Sequence, residues 1–134
     1  MDIKKEKVLC QKQWAKNKYL VLSYSSKIYL EIRTYLKQEK VSLEKVSKLI
    51  KQAINLPEDK GQVTNALHHV WGYFKKFATK EEKDNFFEMI EDYHINKTTK
   101  EDLIEEVKKL LEKYPNTYLE QSTFINGGKD ETLA

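Results

Sequence analysis

The segment 63–77, which reads VTNALHHVWGYFKKF, carries polar side chains whose types and spacing suit ligand binding or proton transfer. In a helix, steps of four, four and three residues align four of them on one face: Asn65, His69, Tyr73 and Lys76. Gly72 leaves a gap beside this line, which would let a ligand or a neighbouring helix approach closely. Both interpretations of the glycine stay open.

His69 is the residue of this line with the clearest chemical role. Its imidazole can act as a general acid/base, and Asn65 or Tyr73 could orient it. His68 is adjacent, so on a helix it diverges by about 100° and cannot share a metal ion with His69. His94 is distant in sequence, and we therefore predict no metal site. The one cysteine, Cys10, lies in an amphipathic pattern and is expected to be a buried free thiol.

The same segment also carries an apolar stripe typical of a buried helix. Its members recur at three- and four-residue steps: Val63, Ala66, Leu67, Val70, Phe74 and Phe77. We predict a continuous helix over 63–77, around which the other helices pack. Pro57 and Gly61 are expected to bracket the loop before it.

The remaining elements are predicted as helices because no segment shows sustained strand alternation. Helices are expected over 4–24, 26–38, 43–55, 80–94 and 100–114, with a break near Ser25. Ser42 and Thr99 are natural N-caps, and Thr79 with Glu82 forms a capping box. The fold is therefore predicted to be all-α, a single compact bundle of five to six helices over residues 1–125, with 118–121 docked on it and a flexible C-terminal tail over 126–134.

Composition places the chain among soluble cytoplasmic proteins without a cofactor. Its 134 residues suit one domain, and a single cysteine excludes an internal disulfide and a multi-cysteine metal or iron–sulfur site. The start MDIKKEK lacks the apolar stretch of a secretory signal, and no apolar run is long enough to span a membrane.

Charge is distributed unevenly along the chain. Residues 1–78 carry 16 Lys+Arg and 7 Asp+Glu, a net charge of +9, whereas residues 79–134 carry 8 and 14, a net charge of −6. The two parts could attract each other, or the basic part could face an anionic partner such as nucleic acid. A solvated lysine surface that binds nothing is an equally ordinary interpretation.

Lysine and tyrosine alternate in the basic part. The residues concerned are Lys18, Tyr19, Tyr24, Lys27 and Tyr29, followed by Tyr73, Lys75 and Lys76. Tyrosine rings can stack on unpaired RNA bases while ammonium groups contact phosphates. A polar seam between helices, with tyrosine hydroxyls bonded to Asn65 or His69, explains the same pattern.

Four segments together resemble the YbgA-like domain, a domain of unknown function. They are Lys18-Tyr19 with Ser25-Ser26-Lys27 and Tyr29, the run from Asn65 to Lys75, Ile90-Glu91-Asp92-Tyr93, and Tyr118-Leu119-Glu120-Gln121. The resemblance covers about Trp14 to Phe124. It departs from the family at Tyr24-Ser25-Ser26-Lys27, where a His-Ser-Pro-Lys run is expected, and between His94 and Asp102, where a proline is expected.

The resemblance implies an RNA-handling role. Such domains occur alone or fused behind a cysteine-bearing iron–sulfur domain of the thiouracil-desulfurase type, which removes sulfur from thiouridine in tRNA. The helical domain is thought to hold the tRNA there, and the chemistry lies in the other domain. Carried over to this chain, the motif positions are Lys27, Tyr29, Asn65, His69, Gly72, Tyr73 and Lys75.

Three hypotheses follow. The first is a non-catalytic RNA-binding module, with tRNA as the expected ligand, that uses Lys27, Tyr29, Asn65, His69, Tyr73, Lys75 and Lys76. The second is a small metal-independent enzyme that acts on a nucleoside or nucleotide, with His69 as acid/base. The third is a protein-interaction domain that docks a separate desulfurase-type iron–sulfur protein.

Overall fold

A computed structural model describes residues 2–127. Within them the chain forms eight helices and no strand: α1 Ile3–Tyr24, α2 Ser26–Tyr35, α3 Leu43–Ile54, α4 Lys60–Trp71, α5 Lys80–His94, α6 Lys100–Lys113, α7 Thr117–Glu120 and α8 Thr123–Asn126. The all-α prediction is confirmed, with six helices of substantial length and two single-turn helices. The predicted tail lies mostly outside the described residues, and its first residue, Asn126, ends α8.

Local capping chemistry sets the starts of the longer helices. The Ser42 and Thr99 hydroxyls accept hydrogen bonds from the Lys45 and Asp102 amides, as predicted. The capping box is also confirmed, since Thr79 Oγ1 accepts from the Glu82 amide and a Glu82 carboxylate oxygen accepts from the Thr79 amide. The bond that the Glu82 carboxylate accepts from the Thr79 amide, and then the one it accepts from the Tyr114 hydroxyl, lower the pKa of Glu82 to about 2.

The central helix is α1, not the 63–77 segment. α1 packs against α2, α3, α4 and α8, and it contributes to two apolar clusters. Cys10 and Val21 belong to the cluster shared with α2 and α3. Tyr19 and Leu22 belong to the larger cluster built with α4, α5, α6 and the two short helices. Cys10 is fully buried, as predicted, because α1 is covered on both sides.

The predicted helix over 63–77 is wrong at both ends. Asp59 caps α4 and Gly61 lies inside it, so Gly61 does not belong to the preceding loop. At the other end α4 stops at Trp71, and the chain continues in turns whose amides mostly bond three residues back, as Phe74 N–H does to the Trp71 carbonyl; Lys75 N–H bonds four residues back to the same carbonyl. Phe74 remains buried at 1% exposure, but Phe77 is 64% exposed and does not belong to the core.

Gly72 avoids a close steric contact in this turn. A Cβ at this position would lie 3.1 Å from the His69 carbonyl oxygen, which is tighter than ordinary contact. The glycine therefore allows the chain to close over the end of α4. The sequence pattern predicts Gly72 inside a helix, whereas in the structure it is the exposed C-cap of α4.

Candidate nucleic-acid interface

Three tyrosines from separate parts of the chain meet in one cluster, which we term the tyrosine cluster: Tyr19 of α1, Tyr73 after α4, and Tyr118 of α7. The Tyr19 and Tyr73 hydroxyl oxygens are 2.8 Å apart, and their rings meet edge to face. The Tyr73 and Tyr118 rings are nearly parallel, with centroids 6.0 Å apart. Tyr19 is 6% exposed and Tyr118 is 37% exposed, so the cluster runs from the core to the surface.

Cationic and titratable side chains border the tyrosine cluster. The Lys18 ammonium lies 5.2 Å from the Tyr19 ring centroid and 5.3 Å from that of Tyr118, within cation–π range. The His69 ring centroid is 6.5 Å from that of Tyr19. The outer part of the cluster thus combines an aromatic surface with positive charge.

The environment keeps the inner hydroxyls protonated. Burial, and then the hydrogen bond to Tyr73, raise the pKa of Tyr19 well above its ordinary value near 10. Burial also raises the pKa of Tyr118. At neutral pH these hydroxyls are therefore hydrogen-bonding groups and not phenolate nucleophiles.

We expect the raised pKa values of buried tyrosines to make the protein less stable in alkali. Tyr93 is also buried, and its hydroxyl donates to a Glu58 carboxylate oxygen at 2.5 Å; burial and then that bond raise the pKa of Tyr93. Unfolded tyrosines ionise near pH 10, whereas Tyr19 and Tyr93 resist ionisation in the folded state. Their contribution to stability is thus full below about pH 10 and is lost as the pH rises through the folded pKa values.

Urea denaturation at about pH 8 and at about pH 11 measures this loss. The variant Tyr19→Phe/Tyr93→Phe should lose less free energy of unfolding between the two pH values than the wild type does. Lysine deprotonation affects both proteins alike and cancels in the comparison. An equal loss in the two proteins would contradict the assignment.

Ring contacts and a hydrogen bond link two of the predicted site residues to the tyrosine cluster. Tyr73 and His69 lie at the tyrosine cluster. Tyr29 is half-buried, and its ring packs on Trp14 with centroids 5.3 Å apart, so it offers little free surface for stacking. Lys27 is exposed at the start of α2, and Asn65 is exposed on α4.

Lys75 and Lys76 are exposed in the turns after α4. Because the helix ends at Trp71, the predicted line through Asn65, His69, Tyr73 and Lys76 is not a helical face. The Tyr73 hydroxyl bonds to Tyr19, and within residues 2–127 no hydrogen bond orients the His69 ring through Asn65 or Tyr73. His69 therefore borders the cluster as an exposed imidazole.

The basic surface extends further than the predicted residues. Neither residues 7–30 nor residues 60–80 contain an acidic residue, and these segments include most of α1 and all of α4, which pack together. We call their exposed lysines the basic surface: Lys12, Lys16, Lys27, Lys75, Lys76 and Lys80. Lys12 and Lys16 are not among the residues predicted from the sequence; the length of the acid-free run was the signal that could have found them.

The other histidines have contacts away from the tyrosine cluster. The His68 ring packs edge to face on Phe87, and His94 Nε2 lies 2.8 Å from the Thr64 hydroxyl. In the described part of the chain, no group of three or more His, Cys, Asp or Glu residues could hold a metal ion. None of the helices over 2–127 is long and apolar enough to cross a membrane.

Comparison with known proteins places the chain in a family. No curated protein and no solved structure matches it significantly. The family described as Protein of unknown function (DUF1722) matches residues 18–127, which include all three tyrosines of the cluster. Since this range covers most of the chain, and its motifs are those of the YbgA-like domain, the protein belongs to the DUF1722 (YbgA-like) family.

Proposed function

We propose that the protein is a non-catalytic RNA-binding module and that structured RNA, tRNA first, is its ligand. The observation that carries this proposal is that two acid-free segments, 7–30 and 60–80, pack together, and each supplies exposed lysines and one tyrosine of the tyrosine cluster. A surface of one charge sign attracts a polyanion, and adjacent aromatic rings suit its unpaired bases.

The ion pairs support this interpretation because they leave the basic surface free. Within residues 2–127, the lysines that pair with carboxylates are Lys48, Lys100, Lys108, Lys109 and Lys113. None of these belongs to the basic surface. Between the two parts, the ion pair in residues 2–127 joins Lys100 of the acidic part to Glu58 of the basic part, so no carboxylate of the acidic part there pairs with a lysine of the basic part.

Side-chain exposure supports a more specific proposal for the role of each residue. Lys27, Lys75 and Lys76 are exposed and suit phosphate contacts. Tyr118 suits base stacking better than Tyr29 or Tyr73, because it is the most exposed ring of the cluster. Asn65 and His69 are exposed polar groups that could contact a base edge or a ribose hydroxyl.

Fluorescence anisotropy with labelled tRNA, thiolated and unthiolated, at about 50 mM and about 200 mM salt tests the proposal. Affinity should fall steeply with salt. The variant Lys75→Ala/Lys76→Ala should reduce the slope of log K against log [salt] by about 0.7 to 0.9 for each phosphate that the protein no longer neutralises. A flat salt response, or an absence of binding at the lower salt concentration, would overturn the proposal.

A further inference from the structure

A groove lies between α1 and α7, next to the tyrosine cluster. It has a volume of about 280 Å³ and is lined by Lys12, Ala15, Lys16, Tyr118 and Gln121. We call it the α1/α7 groove. The family match begins at residue 18, so Lys12, Ala15 and Lys16 lie before it, whereas α7 lies within it. The fold brings these two parts of the chain together at the groove.

Helix geometry explains how the α1 wall is built. Ala15 and Lys16 lie three and four residues after Lys12, so both are neighbours of Lys12 on one side of the helix. The two ammonium groups rise from successive turns, and the small Ala15 between them leaves the space that the groove occupies. Both lysines are exposed and neither pairs with a carboxylate in the described chain.

The wall formed by α7 and the residue after it supplies an aromatic ring and a side-chain amide, from Tyr118 and Gln121. Leu119 is fully buried and anchors this short helix, which holds Tyr118 against Tyr73. Gln121 follows at the end of α7 and is exposed. Its amide carries both a donor and an acceptor, the pair of groups that reads the edge of a nucleobase.

The charged residues around the groove suggest how a bound nucleotide would be oriented in it. No acidic residue lines it, but a second depression of about 350 Å³, which shares Lys16 and Gln121 with it, is also lined by Glu120. A phosphate is therefore expected towards the Lys12 end of the lysine wall, because Lys12 lines the groove and not the depression that Glu120 lines. An uncharged base would lie towards Tyr118 and Gln121.

We propose that the α1/α7 groove binds one unpaired nucleotide of the RNA, with its phosphate on Lys12 and Lys16 and its base against Tyr118, where Gln121 contacts the base edge. This inference rests on the proposed function and makes it more specific. It predicts that the module prefers RNA with accessible single-stranded nucleotides over a fully paired duplex, because a paired base cannot enter the groove.

The first experiment compares a single-stranded oligouridine with a fully paired RNA duplex of equal phosphate number. Wild-type protein should bind the single strand more tightly. Tyr118→Ala should weaken single-strand binding by about 5- to 150-fold, the range for removal of one base-stacking interaction, and should leave duplex binding unchanged. Tyr118→Phe keeps the ring and should bind nearly as the wild type does.

The lysine wall has a matched control on the same helix. Lys12→Ala/Lys16→Ala should weaken single-strand binding more than Lys4→Ala/Lys5→Ala, which removes the same charge from exposed positions outside the groove. Melting temperatures of all variants establish that they are folded. Equal losses in the two pairs would overturn the assignment of phosphate to this wall.

Titration of isotope-labelled protein with uridine 5′-monophosphate, followed by NMR, locates the nucleotide directly. Shifts at the Gln121 side-chain amide and the Tyr118 ring of the wild type, with the Gln121 shift lost in Tyr118→Ala, would support the groove. Salt-steep tRNA binding that is indifferent to Tyr118→Ala and shows no strand preference would overturn the groove while the proposed function stands. Failure of the wild-type protein to bind tRNA at all would instead be a failure of the proposed function.

Discussion

A charge-reversed variant of the basic surface is expected to lose RNA binding by on the order of 10³-fold or more at about 50 mM salt. The four changes are Lys12→Glu, Lys16→Glu, Lys75→Glu and Lys76→Glu. Each phosphate contact contributes a slope of about 0.7 to 0.9 in log K against log [salt], so removing four of them accounts for three decades or more at this salt concentration. Repulsion between the new carboxylates and the phosphates adds to this effect.

A control of equal charge change separates local contact from net charge. Lys83, Lys97, Lys108 and Lys109 lie in the acidic part of the chain and are exposed. Their replacement by Glu changes the net charge of the protein by the same amount without altering the basic surface. Long-range attraction should weaken only modestly, because the Debye length at this salt is about 10 to 15 Å.

Anisotropy with labelled tRNA measures both variants, and circular dichroism establishes that each is folded. A strong loss of affinity in the first variant with little loss in the control locates the interface on α1 and the turns after α4. Similar losses in both would mean that RNA responds to net charge alone, and the basic surface would then not be the binding site.

Helix starts could be predicted from the sequence because their chemistry is local. The capping box at Thr79 and Glu82 requires only a hydroxyl and a carboxylate three residues apart, and both bonds form. Ser42 and Thr99 follow the same rule. The burial of Phe86 and Leu103 likewise follows from three- and four-residue spacing.

The end of α4 could not be predicted in this way. A turn with bonds three residues back preserves the i, i+3 spacing that also marks a helix, so the stripe through Phe74 and Phe77 is compatible with either. The α-helix advances about 100° for each residue, whereas the tighter turn advances about 120°. Over the three residues from Phe74 to Phe77, either geometry keeps the two rings within about 60° of each other, so spacing alone could not predict that Phe77 is 64% exposed.

The tyrosine cluster depends on contacts that span most of the chain. Local spacing identified Tyr19 and Tyr73 as candidates but could not show that their hydroxyls are 2.8 Å apart. The approach of Tyr118 depends on Leu119, whose burial docks α7 on the body. For a related reason, the sequence did not identify Lys12 and Lys16 as candidate site residues. They form part of a groove only because the fold places α7 beside them.

The second large effect concerns Phe74 and Phe77, which both follow the end of α4 at Trp71. Phe74→Ala is expected to lower the free energy of unfolding by about 3 to 5 kcal/mol, because the ring is 1% exposed and its removal leaves a cavity. Phe77→Ala should cost about 1 kcal/mol or less, since the ring is 64% exposed and its stabilising contact is a stack on Tyr114 with centroids 6.3 Å apart.

Urea denaturation of the two variants, followed by circular dichroism, distinguishes the observed turn from a continuous helix. A helix over 63–77 would bury both rings on one stripe, and both substitutions would then be costly. The turn predicts a difference of at least about 2 kcal/mol between them, with an unchanged dependence on urea concentration for Phe77→Ala. Equal costs would mean that both rings are buried, as they would be in a helix that continues past Trp71.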